Sequence, residues 1–203
     1  MKTLGLLGGV ASGKTLVAKK LQELGAIVLD ADRAGHDVLR LPQVKEVARN
    51  RWGASIFATD GENAGEIDRK RLASIVFAHS DEGRRELEFL EKLTHPEIGR
   101  RLQDQLGRIR QQGIQVAVLD APVMLKAGWD RFCDRIWFID APYEMRLARA
   151  MARGWTEEEF RNRELAQEPV ERKRELADLV LDNSKGIGYT HQQIERYWPS
   201  LIG

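Results

Sequence analysis

The residues best suited to chemistry lie near the start of the chain, in a glycine-rich segment. Residues 8–15 match the pattern Gly-x-x-x-x-Gly-Lys-[Ser/Thr] and end in Lys14 and Thr15. Glycines let the backbone curl so that successive N–H groups face one point, and the following helix adds the positive end of its dipole. A lysine here can reach the β- and γ-phosphates of a nucleotide, and the hydroxyl of Thr15 can bind Mg²⁺. The predicted nucleotide-binding residues are Gly9, Val10, Ala11, Ser12, Gly13, Lys14 and Thr15.

Two acidic residues follow apolar runs that predict strands. Asp32 comes just after the second predicted strand, and Asp120 follows the apolar residues 116–119. Ligands of open α/β sheets lie outside the carboxyl ends of the strands. Asp32 could therefore hydrogen-bond the hydroxyl of a phosphate acceptor and receive its proton. The alternative is a turn-forming or capping aspartate, and Asp30 is a rival candidate.

Asp120 has the pattern of an acid that holds Mg²⁺ directly or through water, and we predict that it contributes to both the metal and the substrate site.

Basic residues form a third group in the C-terminal third of the chain. Arg146, Arg149 and Arg153 are spaced to share one face of a helix. Phosphoryl transfer needs cations near the charge that develops on the transferred group, and Arg149 is our first candidate. Many glutamates lie among the arginines and lysines that follow, and such mixtures are usually solvated, ion-paired surfaces. We therefore assign most of these later basic residues, including Lys173, to the surface.

The elements that would position these residues alternate between strands and helices. The first 32 residues predict a strand (3–7), a helix (14–24) and a second strand (26–29), which is the unit from which parallel sheets are built. Further strands are predicted at residues 115–119, 135–139 and 179–181. We therefore predict an α/β fold with a doubly wound, three-layer, five-stranded parallel sheet.

The stretch between the second and third strands is helical. Its pattern breaks at Pro42 and Gly53, and a long amphipathic helix over residues 82–112 is predicted to be interrupted near His95-Pro96. A short strand near Ile56-Phe57 is a candidate exception. We predict one domain over residues 1–203, with a core (1–32, 113–141 and 177–203), a helical insertion (33–112) and an Arg-rich helical lid (142–176).

Composition excludes several classes of protein. The 32 basic residues nearly balance the 31 acidic ones, for a net charge of +1, so the overall charge favours neither nucleic acid nor an anionic membrane as a partner. The single cysteine, Cys133, excludes an intrachain disulfide and a multi-cysteine zinc site. The apolar run at residues 4–7 is too short for a signal peptide or a spanning helix. We therefore predict a cytoplasmic location.

An ordered set of short motifs along nearly the whole chain resembles the dephospho-CoA kinase family. The motifs are residues 6–15, 28–32, Asp60-Gly61, 67–69, Val76-Phe77, 94–98, 119–122, 146–149, Arg163 with Gln167, and 177–183. The glycine-rich loop alone is generic, whereas the ordered set is much more specific.

The resemblance implies a P-loop kinase core with a helical substrate subdomain and a lid. It also implies transfer of phosphate from ATP, with Mg²⁺, to the ribose 3′-hydroxyl of dephospho-CoA. By position, Asp32 would be the base or orienting residue on the acceptor side, Lys14 and Arg149 would act on the phosphates, and Asn183 would lie near the adenine of ATP. His95 would lie on the dephospho-CoA side.

Three positions and the segment over residues 33–36 depart from the family pattern. Leu7 stands where the family usually has Thr, Ala11 where it has Gly, and Lys126 where it has Glu. We expect the methyl group of Ala11 to be tolerated if its φ is negative. Two alternative functions follow from these features. One is another small-molecule P-loop kinase, for a nucleoside, nucleotide or sugar, and the other, motivated by Lys126, is a nucleotide-binding protein without transfer activity.

Overall fold

The computed structural model describes residues 1–78 and 80–202, which contain one five-stranded sheet. The strands are β1 (Lys2–Gly8), β2 (Ile27–Asp30), β3 (Val116–Asp120), β4 (Arg135–Asp140) and β5 (Leu179–Asp182). They pair in the order β2-β3-β1-β4-β5, and every pair is parallel. The predicted α/β class with a five-stranded parallel sheet is confirmed.

Helices follow the strands along the chain, as the alternating pattern indicates. They are α1 (Lys14–Glu23), α2 (Ala31–Val38), α3 (Pro42–Trp52), α4 (Arg69–Val76), α5 (Asp81–Gln111), α6 (Tyr143–Met151), α7 (Glu157–Leu165), α8 (Val170–Glu175), α9 (Ile187–Tyr197) and α10 (Pro199–Ile202). No helix within the described residues combines the length and the apolar composition needed to cross a membrane.

Residue contacts divide the chain into two units. The first is Met1–Asp30 together with the chain from Gln103 onward, and the second is Ala31–Leu102. The first contains the sheet, and its core joins strand residues such as Leu4 and Leu6 to Val17 and Leu21 of α1, all fully buried. Strands covered on both faces by helices read as continuous apolar runs, which is why β1 could be recognised in the sequence.

The second unit has its own small core. Ile56, Phe57 and Leu72 belong to a cluster of buried apolar side chains from α3, α4 and the segment between them. The buried carboxylate of Glu86 accepts hydrogen bonds from Arg51 (2.6 and 2.9 Å) and from Trp52 Nε1 (2.8 Å). The guanidinium of Arg51 holds the pKa of Glu86 below its usual range, so this charge is matched where α3 meets α5.

Two predictions about elements differ from the structure. Helix α5 continues through Pro96, where we expected an interruption. A proline removes one backbone hydrogen bond. Apolar packing of the helix on both sides of it, here by Leu87 and Leu90 before Pro96 and by Ile98 and Leu102 after it, can outweigh that loss. Residues near Ile56 form a short 3₁₀ turn, and Phe57 makes a single antiparallel bridge to Ile67 instead of a strand.

Asp32 lies just past the second strand, as predicted. Helix α2 begins at Ala31, directly after β2 ends at Asp30, so Asp32 lies in the first turn of that helix. An aspartate in the first turn is favourable because its charge opposes the helix dipole. The predicted division into core, insertion and lid stays a prediction.

Candidate active site

The glycine-rich segment forms a curled loop between β1 and α1. The N–H of Ser12 donates to the carbonyl of Gly9 over 3.1 Å, and Gly13 precedes α1 with a φ of 105°. Within the described residues, the N–H groups of Ala11, Gly13 and Thr15 have no hydrogen-bond partner. Because these donors cluster at the positive end of α1, the loop is suited to bind an anion such as a phosphate group.

Two glycines of the loop leave room for side chains that reach it from distant parts of the sequence. A Cβ atom at Gly13 would overlap the side-chain amide of Asn183, and one at Gly9 would overlap the guanidinium of Arg146. The positive φ of Gly13 is also a conformation that other residues rarely adopt. Glycine is therefore needed at both positions for close packing around the loop.

Ala11 has a φ of 57° and is the only non-glycine residue with a positive φ in the described part of the chain. The condition under which we expected the methyl group to be tolerated, a negative φ, is not met, because the loop curls through the left-handed region at this position. An L residue in that region costs about 1–2 kcal/mol, since its Cβ crowds the following carbonyl oxygen. Ala11 therefore strains the loop at a position where glycine would not.

We expect Ala11→Gly to raise the free energy of unfolding by about 0.5–1 kcal/mol, because relief of the strain exceeds the extra entropy that glycine gains in the unfolded chain. Urea denaturation of the two proteins measures this difference. Ala148→Gly is the matched control, since Ala148 is an exposed residue in the interior of α6. It should destabilise the protein by about 1 kcal/mol, and an equal loss for Ala11→Gly would contradict strain at Ala11.

Arg149 and Asn183 hold the same carbonyl of the loop. The oxygen of Ser12 accepts from Arg149 Nη1 over 3.2 Å and from Asn183 Nδ2 over 2.7 Å. Arg149 Nη2 also donates to the backbone oxygen of Asn183 over 2.8 Å, and Asn183 Oδ1 accepts from the hydroxyl of Thr190 over 2.7 Å. The structure thus brings both predicted site residues to the loop, where their side chains bind its backbone. Their predicted contacts with the nucleotide stay predictions.

A buried ion pair holds the middle of the loop. Arg146 is 5% exposed, and its Nη1 lies 2.6 Å from Glu164 Oε1. The same carboxylate oxygen accepts from the N–H of Val10 over 2.8 Å, while Arg146 donates to the carbonyls of Val10 (3.4 Å) and Ala141 (3.1 Å). Both backbone groups of Val10 are therefore fixed by charged side chains from α6 and α7.

Sequence reasoning missed Glu164 and Lys173 as parts of this site. Arg161–Glu157 and Arg172–Glu175 are exposed ion pairs, as expected for this charge-rich segment. Glu164 and Lys173 instead turn inward, and the N–H of Val10 and Glu164 are 154 positions apart in the sequence. No local spacing reports such a contact, so the assignment of Lys173 to the surface is wrong.

Hard oxygen ligands lie beside the loop at the carboxyl ends of the strands. Asp120 ends β3, and its neighbours in register are Leu6 on β1 and Asp30 on β2. Thr15 is exposed in the first turn of α1. The described residues contain no group of three His, Cys, Asp or Glu that could form a closed metal site. A hydroxyl and one or two carboxylates fit Mg²⁺, which keeps several waters and binds phosphate oxygens.

The remaining predicted site residues belong to the unit Ala31–Leu102. Asp32 is exposed in the first turn of α2, and His95 is half-buried in α5. The same unit contains a cavity of about 680 Å³. The cavity is lined by His36, Leu39, Arg40, Ala58, Asn63, Glu66, Ile67, Asp68, Arg69, Lys70 and Ala73.

Basic side chains dominate the polar lining of this cavity. Arg69 contacts the ring of His36 through its guanidinium. Asp68 accepts from the N–H groups of Lys70 (2.9 Å) and Arg71 (3.2 Å), and these backbone bonds hold the pKa of Asp68 below its usual value. Asp68 thus begins α4 and places Arg69 and Lys70 at the cavity. The sequence signalled Arg69 only as part of a family motif.

Comparisons with known proteins give one consistent result. The family model for dephospho-CoA kinase (CoaE) matches residues 2–188. The dephospho-CoA kinase of Carboxydothermus hydrogenoformans is 39% identical over a segment covering 94% of this chain and 90% of that protein. A crystal structure of a Thermus thermophilus protein has 32% identity and a TM-score of 0.79, covering 100% of this chain and 98% of the other. The dephospho-CoA kinase structure from Campylobacter jejuni shares the fold, with 20% identity, a TM-score of 0.65 and coverage of 99% and 97%.

Proposed function

The chain belongs to the dephospho-CoA kinase family, and we propose that it transfers the γ-phosphate of ATP to the ribose 3′-hydroxyl of dephospho-CoA, which is the last step of coenzyme A biosynthesis. The observation that carries the proposal is the curled loop at the start of α1, with unpartnered N–H groups of Ala11, Gly13 and Thr15 among the described residues. Such a loop binds the phosphates of a nucleotide.

On the ATP side, we assign the phosphates to the backbone of residues 9–13 and to Lys14. Lysine in this position reaches the β- and γ-phosphates, where its charge counters the charge that develops during transfer. Mg²⁺ would be held by the hydroxyl of Thr15 and the carboxylate of Asp120, where it would counter negative charge on the phosphates. Arg149 and Asn183 support this site by fixing the carbonyl of Ser12, and we place the adenine near Asn183.

On the acceptor side, we assign Asp32 to the 3′-hydroxyl. Asp32 lies two residues beyond Asp30, whose partner in register is Asp120 at the carboxyl end of β3. A carboxylate there can accept a hydrogen bond from the hydroxyl, aim its oxygen at the γ-phosphorus, and take the proton as the new P–O bond forms. ADP leaves with the electrons of the broken bond.

We assign the rest of dephospho-CoA to the unit that contains α2 to α4 and most of α5. Its diphosphate group suits the cavity lined by Arg40, Arg69 and Lys70, because phosphates pair with clustered basic side chains. His95 is a further candidate contact. These assignments extend the set of predicted substrate-binding residues, Asp32, His95 and Asp120, by the three basic ones.

A product assay tests the proposed function. Purified protein incubated with ATP, Mg²⁺ and dephospho-CoA should release ADP and form coenzyme A in equal amounts, measured by a coupled assay and by mass spectrometry. Omitting dephospho-CoA or chelating Mg²⁺ should stop both products.

The same assay separates the alternatives. ADP and a phosphorylated product with a nucleoside or sugar, but no coenzyme A, would favour a different kinase. ATP binding without any product would favour a protein that has lost transfer activity, as Lys126 in place of the usual Glu suggests. The cytoplasmic location stays a prediction.

A further inference from the structure

Lys173 on α8 is a buried lysine at the start of the phosphate loop. It is 3% exposed, and its Nζ donates to Gln167 Oε1 over 2.7 Å and to the carbonyl of Gly8 over 3.4 Å. Among the described residues, no carboxylate lies within 4.0 Å of this ammonium. A buried charge is costly unless an opposite charge compensates it. An anion near Lys173 would therefore stabilise its buried ammonium, and the described part of the protein provides none at contact distance.

The charged groups around Lys173 disfavour its protonated form on balance. Burial lowers the pKa of Lys173 to about 8, and the nearby ammonium of Lys14 acts in the same direction. Glu164 and Glu168 raise this pKa, while Arg146 lowers it. These four groups come from α1, α6, α7 and the segment before α8. Desolvation and two cations thus outweigh two carboxylates that are not hydrogen-bonded to Lys173.

We propose that Lys173 is a positioning residue of the phosphate loop whose charge is completed by the bound nucleotide, so that at alkaline pH ATP binding is coupled to uptake of up to one proton by Lys173. The inference rests on the proposed assignment of ATP phosphates to residues 9–15. Polyphosphate near Lys14 would also attract the ammonium of Lys173, since electrostatic forces act over several ångströms in a poorly solvated site. The protonated side chain holds the Gly8 carbonyl, and with it the start of the loop.

The sign of the pH dependence follows from this coupling. Below about pH 8, Lys173 is charged before and after ATP binds, so ATP affinity should not change with pH. Above that value, the free protein loses the proton that the complex retains, because phosphate raises the pKa of the bound form. The dissociation constant for MgATP should therefore rise by roughly 25-fold between pH 7.5 and 9.5.

Calorimetric titration with MgATP, without acceptor, tests the coupling. Titrations at pH 8.5 in two buffers of different ionisation enthalpy give the number of protons taken up, and we expect about 0.75 for the wild-type protein. Lys173→Arg keeps its charge at every pH used, so it should take up no proton, and its affinity should not change with pH. Lys19→Arg, an exposed lysine change on α1, should keep the wild-type proton count.

The outcomes are distinct. If the wild-type protein does not bind MgATP at all, the proposed function fails. If it binds MgATP without proton uptake, or if Lys173→Arg keeps the uptake, the inference about Lys173 alone is overturned. A purely structural role of Lys173 would change the urea midpoint of the Arg variant and leave the wild-type affinity independent of pH. A wild-type count of zero overturns the inference even if a variant folds poorly.

Discussion

Replacing Asp32 with asparagine should lower kcat by about 10²- to 10³-fold and leave KM for ATP within about threefold of the wild-type value. The range follows from the usual contribution of a positioned base, and a loose transition state places the result at its lower end. Asparagine keeps the size of the side chain and one acceptor oxygen but cannot take the proton of the 3′-hydroxyl. Steady-state ADP release with dephospho-CoA measures both constants.

Asp37→Asn is the matched control, because Asp37 is an exposed aspartate on the same helix, α2. It should leave kcat within twofold of the wild-type value. The alternative role for Asp32 is stabilisation of the first turn of α2, which predicts a loss of about 0.3–1 kcal/mol in unfolding free energy and nearly normal turnover. Normal kcat for a folded Asp32→Asn variant would therefore remove Asp32 from the chemical step.

The fold could be predicted because the strands of the sheet have a recognisable sequence pattern. Each strand is a short apolar run, and four of the five end in an aspartate, for example Asp30 and Asp120. Pro96 led to a wrong prediction of a helix break. The rule that proline ends a helix reflects the lost backbone hydrogen bond and the local steric clash, and it does not include the packing of a helix of 31 residues. Contacts between residues distant in the sequence keep α5 continuous, and a local stretch of sequence does not reveal them.

The candidate site could be predicted only as far as its contacts are local. Residues 8–15 carry a spacing with a direct physical meaning, so the loop and the start of α1 were found at once. The left-handed conformation of Ala11 could not be read from an alanine, since its side chain disfavours that region. Glu164 and Lys173 looked like surface charges because burial depends on how α7 and α8 pack against the loop.

Arg149 shows the same limit in a different form. Its spacing on α6 indicated a cation near the phosphates, and the structure places its guanidinium on the carbonyl of Ser12 at 3.2 Å. Cations on the carbonyl oxygens of Val10 and Ser12 hold the peptide groups in the orientation that leaves other N–H groups of the loop available to an anion. Positive charge can therefore assist phosphate binding without touching phosphate.

Arg146→Met should lower the free energy of unfolding by about 2–4 kcal/mol, a larger loss than we expect for Ala148→Gly or Asp32→Asn. The change leaves the carboxylate of Glu164 without the guanidinium that lies 2.6 Å away, and breaking a buried pair from one side costs about 3–5 kcal/mol. We place the expected loss somewhat lower because the Glu164 side chain retains 19% exposure. Urea denaturation measures the loss, and KM for ATP should rise in the same variant because Val10 is released.

A double-mutant cycle distinguishes this ion pair from simple loss of packing. Glu164→Gln removes the opposite charge but keeps an oxygen for the N–H of Val10, so the double variant Arg146→Met/Glu164→Gln should be more stable than the sum of the two losses predicts. Arg161→Met, which breaks the exposed pair with Glu157, should cost less than about 0.5 kcal/mol. Additive losses in the cycle would mean that Arg146 stabilises the loop by filling space. Strong coupling would mean that the shape of the phosphate loop depends on one buried charge pair. That pair joins α6 to α7, and its two residues are too far apart in the sequence for a local motif to contain both.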